Sequence, residues 1–518
     1  MQSAALLFST ILALSSAPAW ALVESPWLTS DRTVDCSTNE TILRDVLKPN
    51  MKDEEKAIAL FNFFRQRVYH YVNISESRDP LMTLNTIGNT LCGSQGTCMK
   101  GLLMAAGIKA RVVHHTGHTF YEAFYDNQWH GFDTFTNLYI FTKGDKPHIA
   151  SYDELTANPS LIDNAEKEGR SPKGMCMCGD DPKAFAEKID TSSDYEPLKL
   201  AWSVKDLSLR SGEELVRSWW PHGKPLPGTW NPALGPGPLH TCGGHDRGDN
   251  PDLFKFWEPY GITKFSPNMS ISYRHYFNGF LNYSPNLTNA DYKDGLVSEK
   301  GVKPGPEGLS GAGELVIPVK CPYYISGADL SFEATCPGAG DAVGVEASAD
   351  GKAWTAVLEA KDTGKKEYKA SFDKIAVKTE PGLHAYQVKL TLKGKATLNR
   401  FFLQTTFTHN AMAAPHLMPG KNTYTLAAGK PESLKASPVT VVFRYKDAPA
   451  GKGATKDCTD WKGEVKTVEK KSDASPFKFE VAVPETDKLP QMQDLTLRCG
   501  TLFWKPDTTP APLLTSAK

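Results

Sequence analysis

Residues 92–133 read CGSQGTCMKGLLMAAGIKARVVHHTGHTFYEAFYDNQWHGFD, and this stretch decides the N-terminal fold. Met99, Leu102, Leu103 and Ala106 recur at three and four residues, the period of a helix with one apolar face. Gly107 follows where a left-handed residue closes such a helix. Residues 110–115 (ARVVHH), 119–125 (TFYEAFY) and 128–134 (QWHGFDT) are rich in β-branched and aromatic side chains and read as three strands. Asp126-Asn127 joins the last two as a two-residue hairpin loop. Upstream, Asp53 offers an N-cap, and Ala57, Leu60, Phe61, Phe64 and Val68 again repeat at three and four. Helices followed by antiparallel strands predict an α+β domain.

The same residues hold a candidate catalytic set. A thiol hydrolase or acyl transferase needs a thiolate, a base beside it and a group to orient that base. Cys92 lies at the expected start of the helix, where the dipole and unpaired N–H groups lower a thiol pKa and can stabilise an oxyanion. Cys98 falls a turn or more inside. If Tyr125 pairs with Gln128 across the hairpin, Phe120 pairs with Asp133, and His118 then shares a sheet face with Asp133. Diagonal neighbours of that kind lie roughly 7–8 Å apart at the backbone, within reach of a His–Asp hydrogen bond. Glu122, on the same face, is read either as a group that supports the pair from behind or as the carboxylate that stands in for Asp133.

The stretch resembles the transglutaminase-like (papain-type Cys-His-Asp) superfamily over about residues 50–160. The matching pieces are Cys92 opening a helix, Gly107-Ile108-Lys109-Ala110-Arg111-Val112-Val113, Gly117-His118 with Glu122, and Trp129 with Asp133. The resemblance implies Cys92 as nucleophile, His118 as base and Asp133 as orienting carboxylate, with no metal and no organic cofactor. Gly96, Thr97 and Cys98 depart from the aliphatic helix usual in that superfamily: Gly96 weakens the first turn and Cys98 offers a rival thiol. Cys92 and Cys98 have a structural alternative as a disulfide. Three neighbouring histidines, His114, His115 and His118, raise a zinc alternative, but on a strand they face opposite ways and no Glu-bearing helix motif accompanies them.

Outward from this stretch, residues 1–21 read as a signal peptide: a short apolar run, AALLFSTILALSS at 4–16, and then Ala19-Trp20-Ala21. The run is shorter than the roughly 18 residues that span a bilayer, and no later segment is apolar and long enough. The expected location is therefore secreted, periplasmic or cell envelope. Lys plus Arg number 58 and Asp plus Glu 59 in 518 residues, for a formal charge of -1. That balance leaves no electrostatic footprint for nucleic acid. Ten cysteines suit an oxidising compartment, with Cys321–Cys336 and Cys458–Cys499 as candidate local bridges. The Cys176-Met177-Cys178 pair, the Arg247-Gly248-Asp249 triplet and sequons at Asn39, Asn73, Asn268 and Asn286 are too short to assign a role.

The remainder is expected to be β. A domain at 22–165 is followed by a loop-rich and β connecting region at 166–314, broken by Gly235-Pro236-Gly237-Pro238. Short strands between turns from 315 to 420 read as a β-sandwich. The turn Ser348-Ala349-Asp350-Gly351-Lys352-Ala353-Trp354 there resembles those of galactose-binding-like sandwiches, which implies carbohydrate as a possible partner. A small β domain at 421–518 completes the chain. Two functions follow as expectations: an exported enzyme acting on amides of a peptide or glycan-linked polymer, or a catalytically silent envelope protein whose sandwiches bind glycans or proteins.

Overall fold

The computed structural model describes residues 22–70, 78–115, 117–173, 175, 182–187, 189–190, 196, 202–219, 224, 277–377, 384–447 and 463–506. The expected signal peptide, Cys176, Cys178, Cys242, Cys458, the Arg247-Gly248-Asp249 triplet and the sequons at Asn73 and Asn268 lie outside the described residues.

In the N-terminal part, helix Asp53–Arg67 buries Ala57, Leu60, Phe61 and Phe64. It begins one residue earlier than a cap at Asp53 would have it: Lys52 is the N-cap, and Glu55 Oε2 accepts the Lys52 N–H at 2.8 Å. Helix Cys92–Ala105 ends at Gly107, which takes φ 81° as the cap requires. Strands Lys109–His115, His118–Tyr125 and Gln128–Phe132 follow in one antiparallel sheet, joined at its edge by Ile189–Asp190. Asp126 and Asn127 both adopt positive φ (48° and 60°), the type I′ geometry that matches strand twist, and Tyr125 pairs with Gln128. The helix covers one sheet face, where Met99, Leu102 and Leu103 pack with Tyr121, Ala123 and Tyr125. On the other face Val113 and Phe120 pack with Tyr152 and Leu155. Each of the Met, Leu, Val and Phe side chains, fully buried, contributes about 1.5–3 kcal/mol relative to exposure.

The rest is β-sandwich. A five-stranded sheet, in the order Ser298–Lys300, Gly313–Lys320, Ala385–Lys393, Ala342–Ser348, Thr355–Ala360, faces a ten-stranded sheet. Strand Ala385–Lys393 shows why: Tyr386, Val388, Leu390 and Leu392 alternate inward, and Tyr386 Oη meets Thr405 Oγ1 of the opposite sheet at 2.6 Å. The ten-stranded sheet does not stop at residue 420. It runs from Thr397–His409 through Phe277–Tyr283 and Glu213–Ser218 to Gln491–Cys499 and Val439–Lys446. Two strands of the expected connecting region thus stand at its centre, between the 315–420 and 421–518 segments. A three-stranded sheet of Trp27–Ser30, Gly420–Ala427 and Phe477–Val483 carries Tyr424, whose ring lies 4.7 Å from that of Phe443 in the ten-stranded sheet.

The α+β part is fastened to this β body through Asn410. Its Nδ2 donates to Arg67 O at 2.9 Å and Leu84 O at 2.7 Å, and its N–H donates to Asn85 O at 3.1 Å. Gly88, at φ 67°, leaves room for that side chain: a Cβ there would stand 2.7 Å from Asn410 Cγ.

The expected Cys321–Cys336 bridge does not form: both thiols are free and buried. Cys336 is the last residue of the 13-residue strand Tyr324–Cys336, and Cys321 precedes its first. A strand rises about 3.3 Å per residue, so the two lie tens of ångströms apart, against roughly 7 Å for a bridge. Peptide mapping under non-reducing conditions should recover both as unbridged cysteines that alkylate only after unfolding. A 321–336 disulfide-linked peptide would contradict this pairing.

Candidate active site

Cys92 is the first residue of helix Cys92–Ala105 and is half-buried, with Leu91 as the extended N-cap before it. The first N–H groups of a helix have no partner within it, so Cys92 and Gly93 stand where backbone donors and the positive dipole end converge. His118 begins strand His118–Tyr125, and its side chain is 11 % exposed. Its Nε2 lies 2.7 Å from Asp133 Oδ2. Cys92 is the other group that acts on the ring, favouring its cation.

Asp133 is buried and held from three sides. Oδ1 accepts the Phe135 N–H at 2.8 Å, and Oδ2 accepts the Thr136 hydroxyl at 2.5 Å as well as His118. Its backbone is tied to Leu138 in both directions, at 2.8 and 2.9 Å. Burial pushes the His118 imidazole down, but the Asp133 charge, the Asp133 hydrogen bond and Cys92 outweigh it and raise the group to about 10. Burial likewise opposes the Asp133 carboxylate, and the His118 charge with the three donors lowers it on balance. The arrangement is an imidazolium–carboxylate pair across neutral pH, with Cys92 as a further group that favours the cation. Phe135 and Phe120 flank that ring at 5.1 and 5.7 Å.

Cys98 is not placed to compete. It is fully buried, its sulfur 3.6 Å from Thr83 Oγ1, and burial pushes its thiol to about 12. A bridge between Cys92 and Cys98 is also closed off, and both are free thiols. Six helical residues rise about 9 Å, beyond the roughly 7 Å over which Cα atoms can be joined. Gly96, expected to weaken the helix, has a packing reason: a Cβ there would stand 3.2 Å from Phe120 O, so glycine lets the helix lie against the His118 strand.

Glu122 is not a second carboxylate for His118. It is fully buried and sits directly across from Arg111, whose Nε donates to Oε2 at 2.6 Å, while Oε1 accepts the Tyr152 N–H at 2.8 Å. Arg111 in turn lies 4.2 Å over the Trp129 ring. Arg111, Glu122 and Trp129 therefore brace the sheet behind the site. His114 Nδ1 meets Thr119 Oγ1 at 3.0 Å, and among the described residues no cluster of three potential metal ligands is found.

Sequence reasoning did not single out Gln95, Thr134 or Thr136. All three are buried beside the site; the polar residues next to Asp133 were the available signal for two of them.

In the β-sandwich, the Asp350 carboxylate accepts the Ala353 and Lys352 N–H groups, both at 2.9 Å, and these hold it down to about 2. The polar groups of that turn serve the turn itself. Trp354 is half-buried, with the Lys389 ammonium 4.5 Å from its ring.

No protein-family profile matches this chain, and no curated protein sequence does. Among solved structures, the tandem CBM22-1–CBM22-2 domain of Paenibacillus barcinonensis Xyn10C overlaps 42% of this chain and 89% of its own, at 9% identity and a TM-score of 0.16. The pilus backbone RrgB of Streptococcus pneumoniae overlaps 36% of this chain and 71% of its own, at 12% identity and a TM-score of 0.12. Overlaps this slight say nothing about what the protein does. Among the described residues no helix is long and apolar enough to cross a membrane.

Proposed function

We propose that the protein is an exported thiol hydrolase or acyl transferase of transglutaminase-like type, acting on amide bonds of peptide or cell-wall material through residues 22–165. The observation that carries this reading is the His118 ring, 2.7 Å from Asp133, with Cys92 at a helix N-terminus also acting on it to favour its cation. The signal-like residues 1–21 support export.

In this reading the Cys92 proton already rests on His118 before substrate binds, and the thiolate attacks the amide carbonyl carbon. The carbonyl π pair moves to oxygen, where the first N–H groups of the helix stabilise it. Collapse of the tetrahedral intermediate breaks the C–N bond as His118 passes the proton to the leaving nitrogen, leaving a thioester. Water or an amine, deprotonated by His118, then attacks the thioester and releases the Cys92 thiolate. Asp133 keeps the imidazole oriented and stabilises its cation.

A second reading, a catalytically silent envelope protein that binds glycans or proteins, draws on the β-sandwiches, whose continuous ten-stranded sheet makes up much of the chain. Iodoacetamide trapping across a pH series, read by mass mapping, separates the two. The enzyme reading expects Cys92 to alkylate well below the ordinary thiol range near pH 8.5, while Cys98 stays protected. A Cys92 profile that rises only near pH 8.5 would remove the enzyme reading and leave the binding one.

A further inference from the structure

We infer that Gln95 is the positioning residue that holds the Cys92 helix in register with the His118–Asp133 pair; this rests on the thiol chemistry proposed above. Gln95 lies one turn into the helix from Cys92 and is 1% exposed. Its Nε2 donates to Thr90 O at 3.3 Å, and its Oε1 accepts the Thr134 hydroxyl at 3.0 Å. Thr90 belongs to the segment that enters the helix, and Thr134, also buried, directly follows Asp133. One amide therefore ties the entry to the nucleophile's helix to the turn that carries the carboxylate.

The other restraints leave that task to it. The bonds that shape the Asp133 turn are internal: the paired backbone with Leu138, the Phe135 N–H and the Thr136 hydroxyl. The helix is fitted to the His118 strand by contact, with Gly96 under Phe120 O and Gly93 near Thr119. Contact of that kind sets the distance between helix and strand but permits sliding along it. The Gln95 amide, bonded at both ends, fixes the remaining direction. An error of about 1 Å between reacting groups can cost roughly a hundredfold in rate.

The test uses the full chain with Gln95→Leu, Thr134→Val, the pair of changes together, and Thr134→Ser as the conservative variant. The readout is the rate of Cys92 alkylation by iodoacetamide at about pH 6, where only an ion-paired thiol reacts quickly, and at about pH 9, where an ordinary thiol does as well. The expected result is a slowing of about tenfold at the acid pH for Gln95→Leu and for Thr134→Val, no further loss in the double variant, near wild-type behaviour for Thr134→Ser, and little change at alkaline pH. A merely structural role would lower the unfolding temperature and leave the acid-to-alkaline ratio unchanged; that outcome overturns the inference. If Gln95→Leu does not fold, Thr134→Val carries the same test from the other end of the bond. A wild-type protein without the acid reactivity would instead sink the thiol chemistry itself, a distinguishable failure.

Discussion

Replacing His118 with alanine should slow iodoacetamide alkylation of Cys92 at about pH 6 by roughly thirty- to a hundredfold. The wild-type imidazole is held to about 10 by Asp133 and Cys92 against the opposing effect of burial, so it is a cation throughout the neutral range. A cation beside a thiol at a helix N-terminus favours the thiolate. An ordinary thiol, with its pKa of about 8.5, is ionised to only roughly one part in three hundred at that pH, so loss of a neighbouring cation should show there. Part of the loss is recovered because a less stabilised thiolate is the stronger nucleophile. At about pH 9 the two proteins should react at similar rates, and Cys98, buried and pushed to about 12, should stay unlabelled in both. Asp133→Asn should act differently. It keeps the ring but removes the charge that raises it, so the cation is lost at a lower pH and the alkaline end of the reactive window moves down. Equal alkylation rates for wild type and His118→Ala at the acid pH would end the case for an activated Cys92.

The parts of this site that the sequence made legible are those set by local geometry. Asp126-Asn127 fixes a two-residue hairpin, and counting in twos from it puts His118 and Asp133 on one face; their side chains meet at 2.7 Å. Gly107 closes its helix for an equally local reason. What failed depended on who stands opposite. Glu122 shares the His118 face, yet Arg111 is its direct cross-strand partner, and a ring four residues along the strand stands about 13 Å away at the backbone. The Gln95–Thr134 bond joins residues 39 apart and has no periodicity to announce it. The same limit applied on a larger scale to the β half. Strands Gly313–Lys320 and Ala385–Lys393 alternate cleanly and are readable as strands. Glu213–Ser218 and Phe277–Tyr283 are buried on both faces and carry Glu213, Glu214, Arg217, Asn278 and Asn282 inside, so they show no alternation. Their partners lie far along the chain, at Gln491–Cys499 and Thr397–His409. A boundary drawn at 420 from turn residues alone had no means of registering a sheet closed by strands from the presumed connector.

Those polar residues make the central strand the place where a single substitution should cost the β body most. Glu213→Ala is expected to destabilise it by about 3–5 kcal/mol, the cost of leaving one member of a buried ion pair alone. Glu213 and Arg210 are each 3% exposed; Glu213 Oε1 accepts from Arg210 Nη2 at 3.2 Å, and Oε2 accepts the Arg210 N–H at 3.2 Å. Arg210 also donates to Pro318 O at 2.9 Å and lies 3.8 Å over the Tyr283 ring, so it links the five-stranded sheet to the ten-stranded one. With the carboxylate removed, the guanidinium keeps those two contacts but has lost its counter-charge in a dry interior. A double change that removes both charges, Arg210→Met with Glu213→Leu, should be far milder than Glu213→Ala, because it is the unpaired charge, rather than the loss of an attraction, that is expensive. Thermal unfolding followed by circular dichroism would read this as a fall of roughly 5–10 °C for Glu213→Ala and a smaller one for the double variant. If the double variant is as unstable as the sum of the two single changes, the pair does not act as a unit and the buried-charge account of the central strand is wrong.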